Sequence, residues 1–146
     1  MDHQSVARAL LAFFCTVQGI ATAVIDLGRT HATHPLWLGH ARFHVVWQTA
    51  NVAALSALEV ALVLMRGPWM TERFYLAAIL AGVPIFGFFA ALITRRLYGG
   101  TLSDPQGMPP WSVHLHGKQL RIDLNVVAEI MGVAALAVIV AIFRAT

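Results

Sequence analysis

The sequence has 146 residues, of which 58% are hydrophobic and 12% are charged, and its mean hydropathy is +0.70. A soluble domain usually has about 25% charged residues, so this composition excludes an ordinary soluble protein. The formal net charge of +3 does not indicate nucleic-acid binding, because the basic residues are scattered and flank apolar stretches, as they do in membrane proteins generally.

Four apolar stretches each have about the 20 residues that a helix needs to cross the hydrocarbon layer. They predict helices over residues 6–26, 40–65, 72–96 and 119–143. These helices and their connections account for almost the whole chain. We therefore predict an all-α, polytopic membrane protein with a single four-helix transmembrane domain over residues 1–146.

The connections between the predicted helices differ in length and composition. Residues 28–39 are rich in histidine and proline, and the short link 66–68 makes helices two and three antiparallel neighbours. Pro84 predicts a kink within the third helix. The longest connection, residues 99–117, contains several prolines and is expected to lack regular structure, so the fourth helix is expected to begin near Lys118.

Three of the four helices carry polar side chains on one face, at a spacing of about four residues. These polar seams consist of Gln18, Thr22 and Asp26 in the first helix, of His40, His44, Trp47, Gln48, Asn51 and Glu59 in the second, and of Arg121, Asn125 and Glu129 in the fourth. Polar groups that face lipid are costly, so the seams are expected to turn inward. The sequence therefore predicts a polar cavity that opens at one membrane face.

Glu129 is the strongest candidate for a catalytic group, because it lies mid-membrane, where desolvation disfavours its charged form. A carboxyl group of this kind beside His44 is suited to general acid–base chemistry, and His40 and Asp26 complete the catalytic candidates. The remaining polar seam is assigned to substrate binding, by Gln18, Thr22, Gln48, Asn51, Asn125, Trp47 and Arg121. The alternative is structural, with Glu129 held by Asn51 and Gln18. Glu59 is interpreted as structural, either in a salt bridge with Arg8 or in a contact with another subunit.

Most of the histidines lie in two short segments at the same membrane face, here called the histidine face. They are His31, His34, His40, His44, His114 and His116. The spacing of His40 and His44 places two imidazoles one helical turn apart, which suits a metal ion, although no complete metal signature is present. The alternative is that these two histidines bind carboxylates and interfacial water.

Four spans, an acid at the end of the first in Ile25-Asp26-Leu27, and another acid within the second, Glu59, resemble the emopamil-binding or EXPERA group. That group contains four-span membrane isomerases and sterol-binding proteins. The resemblance implies a four-helix membrane fold and a sterol-like ligand. The histidine-rich segment 31–44 is a departure from the group.

The main functional prediction is a membrane enzyme that acts on a lipophilic small molecule from the bilayer by isomerisation, cyclisation or hydration. The second hypothesis is a membrane oxidoreductase or electron-transfer protein, with a transition metal or haem bound by the histidine cluster. The third is a non-catalytic membrane subunit or lipid receptor. Gly82 and Gly87 would allow close contact in a homo-oligomer, and the distribution of basic residues mildly favours a cytoplasmic histidine face.

Overall fold

The computed structural model describes residues 2–103, 109–115 and 117–145. Its main elements are α1 (His3–Asp26), α2 (Gly39–Leu64), α3 (Met70–Thr94) and α4 (Leu124–Arg144). A 3₁₀ turn, Arg95–Leu97, extends α3, and two antiparallel strands, β1 (Trp111–Leu115) and β2 (Lys118–Ile122), lie between α3 and α4.

All four α-helices are long and apolar enough to cross a membrane. Even the shortest, with 21 residues, extends for about 32 Å, against a hydrocarbon layer of about 30 Å. Large apolar side chains on their outer surfaces have no protein cover: Phe86 is 75% exposed and Ile93 is 78% exposed. Apolar surface on this scale is unfavourable in water and is typical of helices surrounded by lipid, so a mostly helical membrane fold is confirmed.

The fourth helix begins at Leu124, later than predicted, because Asp123 is its N-cap. The Asp123 carboxylate accepts hydrogen bonds from the N–H groups of Asn125, at 3.0 Å, and Val126, at 3.4 Å. An N-cap residue has extended backbone, so the helix cannot include the residues before it. The predicted start near Lys118 is therefore wrong, and Arg121 lies in β2 instead of on α4.

A β-hairpin precedes this cap, where the sequence was expected to lack regular structure. Its register pairs Val113 with Leu120 and Leu115 with Lys118. Gly117 has a φ of 75°, as a tight hairpin turn requires. Apolar and polar residues alternate throughout β1 and over residues 119–122 of β2, which is the sequence signal for this hairpin.

The helices pack in the ring order α1, α2, α3, α4, and the most extensive contact is between α1 and α2. The two backbones approach closely where Gly19 of α1 faces Ser56 of α2. A Cβ atom on Gly19 would lie 2.8 Å from both Cβ and Oγ of Ser56. Only glycine fits this contact without a shift of the helices.

The buried apolar side chains gather in the half of the bundle that contains the first turns of α1 and the last turns of α4. We call this the packed half. Its core consists of Ala7, Leu11, Cys15, Val63, Phe74, Ala77, Ala81, Ile139 and Phe143. The rings of Phe74 and Phe143 stack with centroids 3.8 Å apart, so α3 and α4 are in direct contact here.

Arg8 joins α1 to the end of α2 in the packed half, and its predicted pairing with Glu59 is wrong. Its guanidinium donates to the carbonyl oxygens of Val63, from Nε at 3.1 Å, and of Met65, from Nη2 at 3.1 Å. The last carbonyl groups of a helix lack partners within the helix and carry partial negative charge. They therefore attract the cation away from the carboxyl group.

We predict that Gly19→Ala destabilises the folded protein by about 1–3 kcal/mol, because the added methyl group must push α1 away from Ser56. The unfolding free energy in detergent or bicelles measures this. Gly82→Ala is the matched control within α3, since nothing lies within 4 Å of a Cβ atom at that position. It should leave stability unchanged or raise it by up to about 1 kcal/mol.

A Gly19→Ala, Ser56→Gly double variant should recover part of the loss, since it removes both contacting atoms of Ser56. Equal stabilities of the Gly19→Ala and Gly82→Ala variants would show that the close contact between α1 and α2 does not hold the bundle together.

Candidate functional site

A cavity of about 970 Å³ occupies the half of the bundle opposite the packed half. We call it the main cavity. Residues of all four helices line it, and Phe14, Val52, Leu55 and Ile85 are among its apolar lining residues. Small-molecule sites usually have volumes of roughly 300–1,000 Å³, so the main cavity has room for a sizeable organic molecule.

The main cavity brings together most of the predicted catalytic and substrate-binding residues. Those that line it are Gln18, Thr22, Asp26, His44, Trp47, Gln48, Asn51, Asn125 and Glu129, with His31 from the connection after α1. Apolar side chains nevertheless form the larger part of its surface, so the polar character of the cavity stays a prediction. α3, which has no polar seam, contributes an apolar wall that includes Val83 and Phe88.

Several predicted site residues lie elsewhere. Arg121 is exposed on β2, and the reason is the late start of α4 given above. His114 is exposed on β1, opposite Gln119. His40 precedes the cavity-lining part of α2, and the prediction for His116 lies outside the described residues.

His34 is buried in the α1–α2 connection, where it shapes the chain. Its Nδ1 accepts a hydrogen bond from the N–H group of Leu36 at 3.2 Å, and its carbonyl oxygen accepts one from Nη2 of Arg42 at 2.7 Å. The same Arg42 nitrogen also donates to the carbonyl oxygen of Pro35, at 3.2 Å. Arg42 thus ties the connection to the first turn of α2.

Asp26 ends α1 beside α2 and the connecting segment. The Thr49 hydroxyl lies 3.4 Å from its Oδ2 and donates more closely to the carbonyl oxygen of Val45, at 2.7 Å. His31 interacts electrostatically with Asp26, and its Nδ1 lies 2.9 Å from the Thr30 hydroxyl. Asp26 and His31 therefore lie near each other at one side of the main cavity.

Gln18 crosses from α1 to α3, where its Nε2 donates to the carbonyl oxygen of Ala81 at 3.1 Å. Its Oε1 is buried and has no hydrogen-bond partner among the described residues. The half-buried carboxyl group of Glu129 likewise has no hydrogen-bond or ion-pair partner in the part of the chain that the structure describes. The structural alternative, a Glu129 held by Asn51 and Gln18, is wrong, because Glu129 has no hydrogen bond to either side chain.

His40 and His44 face each other at the start of α2. Their Nε2 atoms are 3.1 Å apart and their ring planes are nearly perpendicular. One neutral imidazole can donate to the other, or both nitrogens can bind one metal ion. No group of three or more His, Cys, Asp or Glu side chains that could hold a metal ion is found among residues 2–103, 109–115 and 117–145.

Glu59 is separated from the rest of the α2 seam. It is fully buried in the packed half, with the Cys15 thiol as the polar group beside its carboxyl group. It does not line the main cavity. The two intramembrane glutamates, Glu59 and Glu129, therefore occupy different environments.

In comparisons with known proteins, the chain matches no protein-family model, and no curated protein or solved structure is significantly similar to it. The resemblance to the EXPERA group stays a prediction. Of the two acids that carry it, Asp26 lines the main cavity and Glu59 lies outside it.

We predict that water enters the main cavity. In a Cys15→Ala background reconstituted in liposomes, Gln48→Cys should react with a membrane-impermeant thiosulfonate at least about ten-fold faster than Val46→Cys, since the reagent needs the thiolate, which forms in water and not in lipid. Gln48 lines the cavity, whereas Val46 is 45% exposed and lies on the other face of α2. The labelling rate by mass spectrometry is the measurement.

Equal rates at the two positions would show that Gln48 does not face a distinct aqueous compartment. The native Cys15 is fully buried, so its replacement serves only to leave a single thiol in each variant.

Proposed function

We propose that the chain is an integral membrane enzyme that binds a lipophilic small molecule in the main cavity and transfers protons to and from it. The observation that carries this proposal is the position of Glu129. Its carboxyl group lines a cavity of about 970 Å³ without a hydrogen-bond or ion-pair partner among the described residues. A carboxyl group that makes no hydrogen bond or ion pair within the protein is available to exchange a proton with a bound molecule.

The class of substrate follows from the cavity walls and the surroundings. Phe14, Val52, Leu55 and Ile85 offer apolar contact area, and the helices around them are long and apolar enough to lie in a bilayer. A molecule already dissolved in the membrane loses little on entering such a site, whereas a polar metabolite would lose its hydration. The resemblance to the EXPERA group supports a sterol-like ligand.

The reaction class follows from the groups that can exchange a proton. Glu129 would give a proton to one carbon or oxygen atom of the substrate, and His44 would remove one from another, which gives isomerisation or cyclisation. In a hydration, water would supply the oxygen atom and Glu129 the proton. Asn51 and Asn125 can donate hydrogen bonds to a substrate oxygen and stabilise charge that develops there.

We predict that Glu129→Gln abolishes proton transfer, because the amide keeps the shape of the side chain and cannot exchange the proton. Membranes that contain the protein are incubated in D₂O with a lipid extract of the cells that naturally produce it. Wild-type protein should place non-exchangeable deuterium on a lipophilic product, and Glu129→Gln should reduce this at least about 100-fold. Mass spectrometry of the extracted lipids measures the deuterium.

Glu72→Gln is the matched control, since Glu72 is exposed in the first turn of α3, at the opposite end of the bundle from the main cavity. This variant should label the product as fast as wild type. Full deuterium incorporation by a folded Glu129→Gln variant would end the catalytic assignment. A lipid that copurifies unchanged with both proteins would favour a lipid receptor.

A second candidate function is metal-dependent or haem-dependent oxidation or electron transfer, which one observation favours. The Nε2 atoms of His40 and His44 face each other at 3.1 Å, a separation that a shared metal ion would also produce. Purified wild-type protein would then contain about one equivalent of metal or haem, lost in His40→Ala and kept in His114→Ala. Metal-free protein that still deuterates a lipid would exclude this candidate.

A further inference from the structure

A second, smaller cavity of about 190 Å³ adjoins the main cavity between the end of α3 and the start of α4. The two cavities share Phe88, Ala91 and Asn125 as lining residues. A molecule that occupied both spaces would therefore pass these three residues. We call the smaller space the side cavity.

The side cavity differs from the main cavity in the charge of its lining. Among the described residues, Arg95 is the only charged residue of its lining, and Thr101 adds a hydroxyl group. Nη1 of Arg95 donates to the carbonyl oxygen of Leu92 at 2.7 Å. Its other N–H groups have no side-chain or backbone acceptor among the described residues, and no carboxylate of those residues pairs with the guanidinium.

The main cavity carries the opposite chemistry. Its charged candidates are the carboxyl groups of Asp26, at the end of α1, and Glu129, one turn along α4 from Asn125. An anionic group is attracted to the Arg95 guanidinium, whereas the carboxyl groups of Asp26 and Glu129 offer it no cation and repel it when they are ionised. The electrostatic arrangement therefore gives an anionic, elongated ligand one preferred direction.

The depth of the two cavities in the membrane supports the same direction. Arg95 lies in the 3₁₀ turn that follows the long apolar helix α3, which is the level of lipid headgroups. Apolar residues such as Phe14 and Ile85 line the main cavity near the middle of their helices. A ligand with a headgroup at Arg95 and an apolar chain below it would match the layering of the bilayer itself.

We infer that the side cavity is the headgroup site for an amphiphile with an acidic head, a carboxylate or a phosphate, whose apolar chain occupies the main cavity. A guanidinium binds both kinds of anion through paired N–H donors, and Asn125 adds a donor at the junction. The inference rests on the proposed function, since it names the substrate class of that site. Glu129 lies about 6 Å along the helix axis from Asn125, so proton transfer would occur a few bonds from the acidic head.

Trp47 lines the main cavity and can report binding by its fluorescence. The other tryptophans, Trp37, Trp69 and Trp111, are replaced with Phe, and the full-length protein is studied in nonionic detergent. Three probes with the same bromine-labelled alkyl chain are added: a fatty acid, an alkyl phosphate and a fatty alcohol. Bromine quenches tryptophan emission on contact, so a probe whose chain enters the main cavity quenches Trp47.

Arg95→Gln should weaken binding of the fatty acid or the alkyl phosphate at least about ten-fold, since a hydrogen bond to a charged group is lost. Binding of the alcohol should not change. Arg96→Gln is the matched control, because Arg96 is exposed in the same 3₁₀ turn and does not line either cavity. The Arg96→Gln variant should bind all three probes as wild type does. The Arg95→Lys variant should keep part of the affinity for the anionic probes. A preference for the acid or for the phosphate identifies the head.

If all three probes quench equally and Arg95→Gln has no effect, the headgroup site is wrong. If Arg95→Gln and Arg96→Gln weaken binding of the anionic probes equally, the effect comes from surface charge alone, and the headgroup site is again wrong. If no probe quenches Trp47 in folded protein, the main cavity does not admit a lipophilic chain, and the proposed function falls together with the inference.

Discussion

The contact of α1 with α2 at Gly19 and Ser56 sets how closely the polar seams of these two helices lie. A glycine opposite a small side chain lets the two backbones approach closely. On one side of this contact Arg8 reaches the end of α2, and on the other side Thr49 approaches Asp26. The polar seams of both helices are thereby held side by side along one edge of the main cavity.

The bundle is divided into a packed half and a half with a cavity, and the two glutamates within the membrane fall on opposite sides of this division. Glu59 is enclosed by the packed half, where no ligand can reach it without local opening of the helices. Glu129 lines a space large enough for a substrate. A glutamate side chain is thus buried in the helix interface at Glu59 and lines an open space at Glu129. The difference arises because apolar side chains fill the space around Glu59 and do not fill the space beside Glu129.

The region around the cavities is also asymmetric in charge. Asp26 and His31 lie on the α1 side, and Arg95 lies across the bundle, beyond the end of α3. Charges in a region of low dielectric act over longer distances than they do in water. In the proposed site, Arg95 would therefore orient the acidic head of a ligand, and the uncharged part of that ligand would lie against the apolar wall that α3 provides.

The sequence alone determined the four helices and the face that three of them turn towards the cavity, because the length of an apolar stretch and a spacing of four residues are local properties of the chain. The spacing of polar residues alone was sufficient to assign Gln18, Asn51 and Glu129 to one site. The alternation in β1 and β2 was also a local signal, and it was missed because the prolines before it were taken to exclude regular structure.

Other features were decided only by tertiary structure. Glu59 shares the helical arc of Asn51 in sequence, yet the tilt of α2 against α1 buries it in the packed half. Arg8 is drawn to the free carbonyl groups that end α2, which no spacing in the sequence reveals. Arg95 gains its place beside a cavity only through the approach of α3 to α4. Contacts between distant segments depend on which faces fit together, and the linear pattern of polar and apolar residues does not specify that fit.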